Sequence, residues 1–264
     1  MAIIQTVIAG GGSAPAHYIE KSVDANGVLN NGSTVIDLTG VTDIANYVFY
    51  YAYAYNANIS SAVNMSEITA ITGSSACSNM FASCSRISSV DLSSLTTVSG
   101  NSACISMFNA CTGLTSISLG SLTTVSGSNA CGNMFFGCSG ITSVDLSSLT
   151  TISGGTACNS MFNRCTNMTT VNLNSLSVIT GSQACMNMFY GCTALTSLSF
   201  PAITTTSFGS YINQFNNMCQ SIPSITLHFP SNVQSVIEGL TGYSTTAPFG
   251  ATSGTVLFDL PATA

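Results

Sequence analysis

The sequence has very little charge and no tryptophan. Lys and Arg together number 3 against 9 Asp and Glu, and charged residues make up 5% of the chain, whereas an average soluble domain has roughly 25%. Nucleic-acid binding needs clustered Lys and Arg to neutralise phosphates, and Lys21, Arg86 and Arg164 are scattered over the chain. The composition therefore excludes nucleic-acid binding and disfavours anionic membrane surfaces.

Long apolar runs are missing as well. None reaches the roughly 18 to 20 residues that span a bilayer, so we expect no membrane insertion. The apolar start, Met1 to Ala9, carries no Lys or Arg and is followed by Gly10, Gly11 and Gly12, which makes it a poor secretion signal. We therefore expect folding in a cytoplasm, with a mature secreted chain as the alternative.

What the sequence does have is a repeat with a step of 27 residues. It extends from about residue 35 to about residue 229, and it places Tyr50 and Tyr53 one step before Cys77 and Met80. The clearest columns are Cys77, Cys104, Cys131, Cys158 and Cys185; Cys84, Cys111, Cys138, Cys165, Cys192 and Cys219; Phe81, Phe108, Phe135, Phe162 and Phe189; and Gly73, Gly100, Gly127, Gly154 and Gly181. Such a step indicates stacked coils, because one coil alone cannot bury its apolar face.

Within each repeat, the apolar spacing suggests three segments. Ala130, Met134 and Cys138 lie four residues apart, as on one side of a short helix or 3₁₀ segment. The alternating residues 143–146 predict a short strand with one buried face. Leu149 and the residues after it then form a return segment, which ends at a turn marked by Gly154.

These residues resemble the BspA-like class of leucine-rich repeat. The resemblance rests on Met134-Phe135, Cys138, Ile141, Val144 and Leu146, and on their equivalents in the other copies. It implies a surface-displayed adhesion or recognition protein, and it brings no catalytic residue. Ser/Thr-rich versions with a short Gly-rich start are also similar in style to phage virion proteins.

Together these features predict an α/β solenoid: a right-handed, leucine-rich-repeat-like stack of about seven to eight coils, with a parallel β-sheet on one face and a cap at each end. We assign residues 1–12 to a flexible or docking tail, 13–34 to an N-terminal cap, 35–230 to the solenoid and 231–264 to a C-terminal cap. In the C-terminal cap, Ser231 and Asn232 are expected to cap a helix reaching about Leu240, and Thr255 to Asp259 to form a closing strand.

The best candidates for a ligand-binding site are two polar rows on the predicted sheet. The first polar row is Ser89, Ser116, Ser143, Thr170 and Ser197, and the second polar row is Asp91, Ser118, Asp145, Asn172 and Ser199. Ladders of hydroxyl and amide groups suit a polar ligand such as a glycan, but they equally suit plain solvation. Both interpretations stay open at this point.

Tyr47, Tyr50, Tyr51, Tyr53 and Tyr55 form the one aromatic cluster. Because Tyr50 and Tyr53 occupy core positions of the repeat, we expect them to be buried. Tyr51 and Tyr55 are then free to be exposed and to contact a ligand, with local packing as the alternative.

Other reactive groups favour no chemistry. The cysteines are expected to be reduced packing thiols, although neighbouring coils at about 5 Å would permit disulfides, and their columns do not converge as zinc ligands must. His17 and His228 stand near opposite ends of the chain, so no Ser-His-Asp set is expected from a regular solenoid. No metal, cofactor or enzymatic activity is predicted.

The leading hypothesis is a non-enzymatic binding or adhesion protein on a phage tail or head fibre. Its partners would be a bacterial cell-surface glycan or protein, and other virion proteins through the N-terminal tail; a homo-oligomer is also conceivable. A bacterial cell surface is the alternative location. The rival functions are structural decoration of a phage particle and ice binding, the latter suggested by the pairs Thr96-Thr97, Thr123-Thr124 and Thr150-Thr151.

Overall fold

In the computed structural model, residues 4–8, 17–21, 42–44, 49–55, 59 and 63–263 are described. They form a parallel β-solenoid of about seven turns with a spacing of about 27 residues. The stack of coils predicted from the repeat is therefore confirmed. No helix in the described ranges is long and apolar enough to cross a membrane.

The front ladder consists of the first strand of each coil. Its strands are β3 (Val63–Asn64), β5 (Ser89–Asp91), β7 (Ser116–Ser118), β9 (Ser143–Asp145), β11 (Thr170–Asn172), β13 (Ser197–Ser199), β14 (Ile225–Pro230) and β15 (Gly254–Leu260). Hydrogen bonds join them into three parallel sheets, β3-β5-β7, β9-β11 and β13-β14-β15. The predicted sheet is thus present, but its hydrogen bonding is interrupted twice along the stack.

The return ladder lies on a second side of the coil and is continuous. It pairs β4 (Ala70–Ile71), β6 (Thr97–Val98), β8 (Thr124–Val125), β10 (Thr151–Ile152) and β12 (Val178–Ile179) in one parallel sheet. Every pairing has a step of 27 residues, as in Thr97 with Thr124 and Thr124 with Thr151. Threonine hydroxyls add bonds between coils, since Thr96 and Thr123 donate to the carbonyl of the equivalent Thr one coil earlier.

The third side of the coil is a chain of turns, and the helix predicted there is wrong. In the segment from Ser102 to Cys111, the N–H groups of Cys104 and Ser106 donate to carbonyls of the next coil, while those of Ile105 and Met107 donate three residues back. Every fourth residue has a positive φ, at Ser102 (53°), Ser106 (55°) and Ala110 (57°), and equivalent angles recur in the other coils. Left-handed residues at this spacing prevent a helix. They still keep the apolar residues on one side, where the predicted inward residues are buried: Ala130, Cys131, Met134, Phe135 and Cys138.

A column of stacked rings runs through the core along the axis of the solenoid. Tyr53, Phe81, Phe108, Phe135, Phe162 and Phe189 follow one another with nearly parallel rings and centroids 5.2 to 5.9 Å apart. All five Phe side chains are fully buried. The column gives each coil the same core partner, so the 27-residue step is maintained by packing as well as by hydrogen bonds.

The step changes at two places where the sequence repeat appears regular. Near the start, the ring of Tyr53 stacks on Phe81, although the 27-residue step aligns Tyr53 with Met80. The reason is that the segment between Ile44 and Phe49 is one residue shorter than the equivalent segment of the next coil. Near the end, Leu198 pairs with Leu227, a step of 29 residues. Longer connecting loops absorb these differences, so the 27-residue step, which would align Ile225 with Leu198 and Leu227 with Phe200, does not hold at the last coils.

The C-terminal segment contains a short helix and a strand at the places expected from the sequence. A 3₁₀ turn (Ser231–Val233) leads into α1 (Gln234–Glu238), which is shorter than expected and has no side-chain cap from Ser231 or Asn232. Val233, Ile237 and Leu240 are buried, and β15 lies where the strand from Thr255 to Asp259 was expected. Asn232 instead hydrogen-bonds Thr263 near the end of the chain.

At the N-terminal end, β1 (Ile4–Ile8) pairs antiparallel with β2 (His17–Lys21). One strand belongs to the predicted tail and the other to the predicted cap. The remaining residues of both segments lie outside the described residues, as does Tyr47.

Candidate functional site

The two polar rows exist as predicted. Ser89 pairs with Ser116 and Ser143 with Thr170 in the first row. The equivalent pairs of the second row are Asp91 with Ser118 and Asp145 with Asn172. Ser197 and Ser199 continue the rows on β13. Most of these side chains are exposed and the rest are half-buried, so the front ladder presents a polar surface to solvent.

The rows are longer than the sequence suggested. Asn64 precedes Asp91 in the second row, while Thr226 and His228 follow Ser197 and Ser199. Sequence reasoning missed the last two because the final step is 29 residues. Their signal is the strand pattern of residues 225–229, in which buried and half-buried side chains alternate.

The second polar row also has a structural role. Oδ1 of Asp91, Asp145 and Asn172 accepts a hydrogen bond from the N–H group two residues further on, at 2.9 to 3.2 Å. This Asx turn ends each strand and starts the return segment. One oxygen of each of these side chains is therefore already used, and only the second oxygen or the amide NH₂ is left to face a ligand.

A shallow depression of about 430 Å³ lies over β9 and β11. It is lined by Ser143, Val144, Asp145, Thr170, Val171, Asn172 and Asn174. Two hydroxyls, one carboxylate and two amides line the depression, while Val144 is buried beneath them and Val171 is half-buried. Polar groups grouped in this way can fix the orientation of a polar ligand. Asn174 was not among the predicted residues. Its only signal in the sequence is that it follows Asn172 by two residues.

The tyrosine cluster lies elsewhere and is arranged differently from the prediction. Tyr51 and Tyr55 are 42% and 66% exposed, as expected, and both have positive φ. Tyr50, expected to be buried, is 50% exposed and packs edge-on against Tyr51. The one-residue shift of the first coil is the reason, since Phe49 takes the buried position instead. Tyr53 is buried, and burial raises its pKa to about 12.

The structure does not bring Tyr51 and Tyr55 together with the depression. They belong to the turn side of a coil that precedes the coil of β9 by three steps, roughly 14 Å along the axis at about 4.8 Å per coil. A ligand confined to the depression would not reach them. The exposed tyrosines are therefore a separate surface.

All eleven cysteines are buried, and none of them is in a disulfide bond. In the second cysteine column, Cys111, Cys138, Cys165 and Cys192 each donate Sγ–H to a Phe carbonyl one coil earlier, at 3.0 to 3.2 Å. Cys219 was expected in this column, but in its own coil it occupies the position equivalent to Phe189. Its N–H donates to a carbonyl of the next segment, as the N–H groups of the stacked Phe residues do. Burial raises the pKa of Cys138 and Cys192 to about 12, so these thiols are packing groups.

Among the described acids and histidines, Asp259 and His228 form an ion pair when the imidazole is protonated. Asp91 and Asp145 remain two coils apart, and the described residues contain no group of three metal-ligating side chains. His228 Nδ1 lies 2.9 Å from Asp259 Oδ2, linking β14 to β15, and Ser199 lies beside His228 in the register. The described part of the chain has no hydrogen bond from Ser199 to His228, so these residues share one end of the sheet without forming a nucleophile and base.

The comparisons with known proteins agree with the repeat. The model described as BspA type leucine rich repeat region matches in 6 copies over residues 34–159, 77–209 and 131–240. No curated protein matches the chain.

Two solved structures share 14% identity with the chain. A leucine-rich repeat protein from Bacteroides ovatus aligns over 96% of this chain and 75% of its own, with a TM-score of 0.29. A leucine rich cell surface protein from Faecalibacterium prausnitzii aligns over 90% and 92%, with a TM-score of 0.22. At this level of superposition neither neighbour informs the site.

Proposed function

Because the chain belongs to the BspA-type leucine-rich repeat family, we propose that it is a non-enzymatic binding protein. Its ligand is a hydroxyl-rich molecule, a bacterial cell-surface glycan in particular, bound on the front ladder. The observation that supports this most is the depression over β9 and β11, which is lined by hydroxyl, carboxylate and amide groups of the two polar rows and of Asn174.

The chemistry of the depression favours a sugar over an anion. Asp145 contributes a carboxylate oxygen that accepts hydroxyl protons, and the amides of Asn172 and Asn174 both donate and accept. The hydroxyls of Ser143 and Thr170 complete the rim. None of the lining residues is a cation, and the whole chain has 3 Lys and Arg, so a phosphate or carboxylate would find little compensation.

The polar rows also suit a ligand that extends along the stack. Equivalent groups recur once per coil, at about 4.8 Å, from Asn64 to His228. Several weak contacts of one ligand chain with successive coils add up to a useful affinity.

We propose display on a phage particle, with residues 1–12 as the attachment segment, and display on a bacterial surface as the alternative. Antibody labelling of purified particles and of cells distinguishes the two.

The binding face is tested with variants of the depression. Thr170→Val combined with Asn174→Ala removes two hydrogen-bonding groups from the rim without touching the core. At about 0.5 to 1.5 kcal/mol per hydrogen bond, we expect affinity for a glycan identified on an array, or for host cells, to fall about tenfold. Ser126→Ala is the matched control, because Ser126 is exposed just after β8 in the return ladder.

Two results would count against the proposal. If the wild-type chain binds neither the glycan array nor host cells, the structural decoration hypothesis is favoured. If the control weakens binding as much as the double variant, the ligand lies on another side of the solenoid.

A further inference from the structure

The last strand of the described residues, β15, leaves one edge of a sheet open. β15 pairs with β14 on one side, and no other described strand pairs with it. At seven residues it is the longest strand of the described chain, and it contains neither Pro nor Lys. Proteins usually shorten, charge or cover such edges, because an open edge offers unpaired N–H and C=O groups to another strand.

The direction of these groups follows from the pairing with β14. Ile225 N–H donates to the carbonyl of Ser253 at 3.2 Å. In a parallel pair, consecutive residues present their N–H and C=O groups to opposite sides of the strand. The pairing is regular as far as His228 with Leu257, and its register shifts between His228 and Pro230. Thr255 and Leu257 therefore bond towards β14, while the backbone groups of Val256 and the N–H of Phe258 point to the open edge.

The apolar row of the last coil is incompletely covered too. Leu227 and Phe229 on β14 are fully buried. Val256 pairs with Leu227, and the ring of Phe258 lies 6.2 Å from that of Phe229, yet both β15 side chains are only half-buried. In the interior of the stack, the next coil would cover these positions. The C-terminal edge thus lacks both a hydrogen-bonding partner and an apolar cover.

We propose that β15 of a second copy covers this edge, in an antiparallel pair centred on Leu257. Two-fold symmetry then places Val256 opposite Phe258, and these are the residues whose backbone groups point outwards, so they form the hydrogen-bonded pairs. Their half-buried side chains fall on the same face. Thr255 lies opposite Asp259 of the other copy, so no like charges meet.

The length of the edge favours this partner over head-to-tail stacking. The strand at the other described end of the front ladder, β3, has two residues. It could satisfy only a small part of a seven-residue edge, whereas a second β15 matches it along its length. The expected assembly is therefore a closed dimer rather than a filament.

Because Thr255 lies opposite Asp259 of the other copy, substitutions of opposite charge at this exposed position should have opposite effects on the stability of the dimer. Thr255→Glu puts a carboxylate opposite Asp259 twice in the dimer, and Thr255→Lys puts an ammonium there. From the size of cross-strand charge pairs, we expect the dimer dissociation constant to rise about tenfold with Glu and to fall about tenfold with Lys. Sedimentation velocity of the full chain over a concentration series, at low ionic strength, measures both.

Thr205→Glu is the control, since Thr205 is exposed and lies outside β15. Melting curves show whether each variant is folded, and the Lys variant tests the pairing even if the Glu variant does not fold. A wild-type chain that is monomeric at every concentration overturns the proposal. So does a dimer that responds equally to all three substitutions, or a concentration-dependent filament.

Discussion

At the scale of single residues, the tightest constraint is the glycine that ends each return segment. A Cβ on Gly154 would overlap the carbonyl oxygen of Gly127, and the same holds for Gly127 against Gly100. The column of glycines visible in the sequence therefore marks a close approach between coils rather than a need for unusual backbone angles. At the neighbouring Gly155, the nearest atom to an added Cβ is 3.6 Å away.

This contrast gives a matched pair of variants. Gly154→Ala is expected to lower the free energy of unfolding by about 2 to 3 kcal/mol, because the neighbouring coil must move to admit a methyl group. Gly155→Ala should change it by less than about 0.5 kcal/mol. Urea denaturation followed by circular dichroism measures both. Equal effects of the two substitutions would show that the coils are not in contact at Gly154.

At the scale of elements, the sequence predicted the strands better than the turns. Alternation of apolar and polar residues identified β9 and its equivalents, because one face of each is buried. The turn side was predicted as helical since a spacing of four residues is common to a helix and to this chain of turns. Its only distinct signal is the choice of residues at the left-handed positions, such as Asn129, Asn133 and Gly137, which adopt positive φ at low cost.

The candidate site shows the same limit. The polar rows were predictable because they follow the 27-residue step, and the depression lies on two of their strands. The positions of Tyr50 and Cys219 were predicted wrongly. Small changes in loop length shift the register of these coils, although their residues still match the 27-residue repeat in the sequence. A repeat in the sequence identifies equivalent positions only where the intervening loops have equal length.

The cysteine columns make the solenoid sensitive to alkali. Burial raises the pKa of seven thiols, those of Cys111, Cys138, Cys158, Cys165, Cys185, Cys192 and Cys219. In the unfolded chain, the pKa of a cysteine thiol is about 8.5. Because the folded-state pKa is the higher one, the stabilisation is complete below the unfolded pKa and is lost as pH rises towards the folded value.

Each such thiol contributes up to about 1.4 kcal/mol per pH unit in that window. The free energy lost by seven thiols together would exceed the usual free energy of unfolding of a domain, about 5 to 15 kcal/mol, within about one to two pH units. We expect cooperative unfolding there in the presence of a reductant, with thiolate absorbance rising at the same pH as the loss of circular dichroism. Cys165→Ala should make the pH dependence less steep. Thiolate absorbance that rises while the fold persists would contradict this.

At the scale of the whole molecule, the protein is a stack of equivalent coils with different ends. The coils share one core column, two strand ladders and one chain of turns, so each coil depends mainly on its neighbours. The chain has little charge to steer partners over a distance, so the binding that we propose on the front ladder would depend on short-range hydrogen bonds. β15 is the last described strand of the front ladder, and no described strand pairs with its other edge.

The central claim is that the 27-residue coils are interchangeable units in register, and removing one of them tests it most directly. Deletion of residues 101–127 joins Gly100 to Ser128 and takes out one coil, while deletion of residues 105–127 shortens the chain out of step. Thermal unfolding followed by circular dichroism should show a single cooperative transition and an unchanged spectral shape for the first variant. The second should show no such transition. If both variants unfold alike, the coils are not stacked in register.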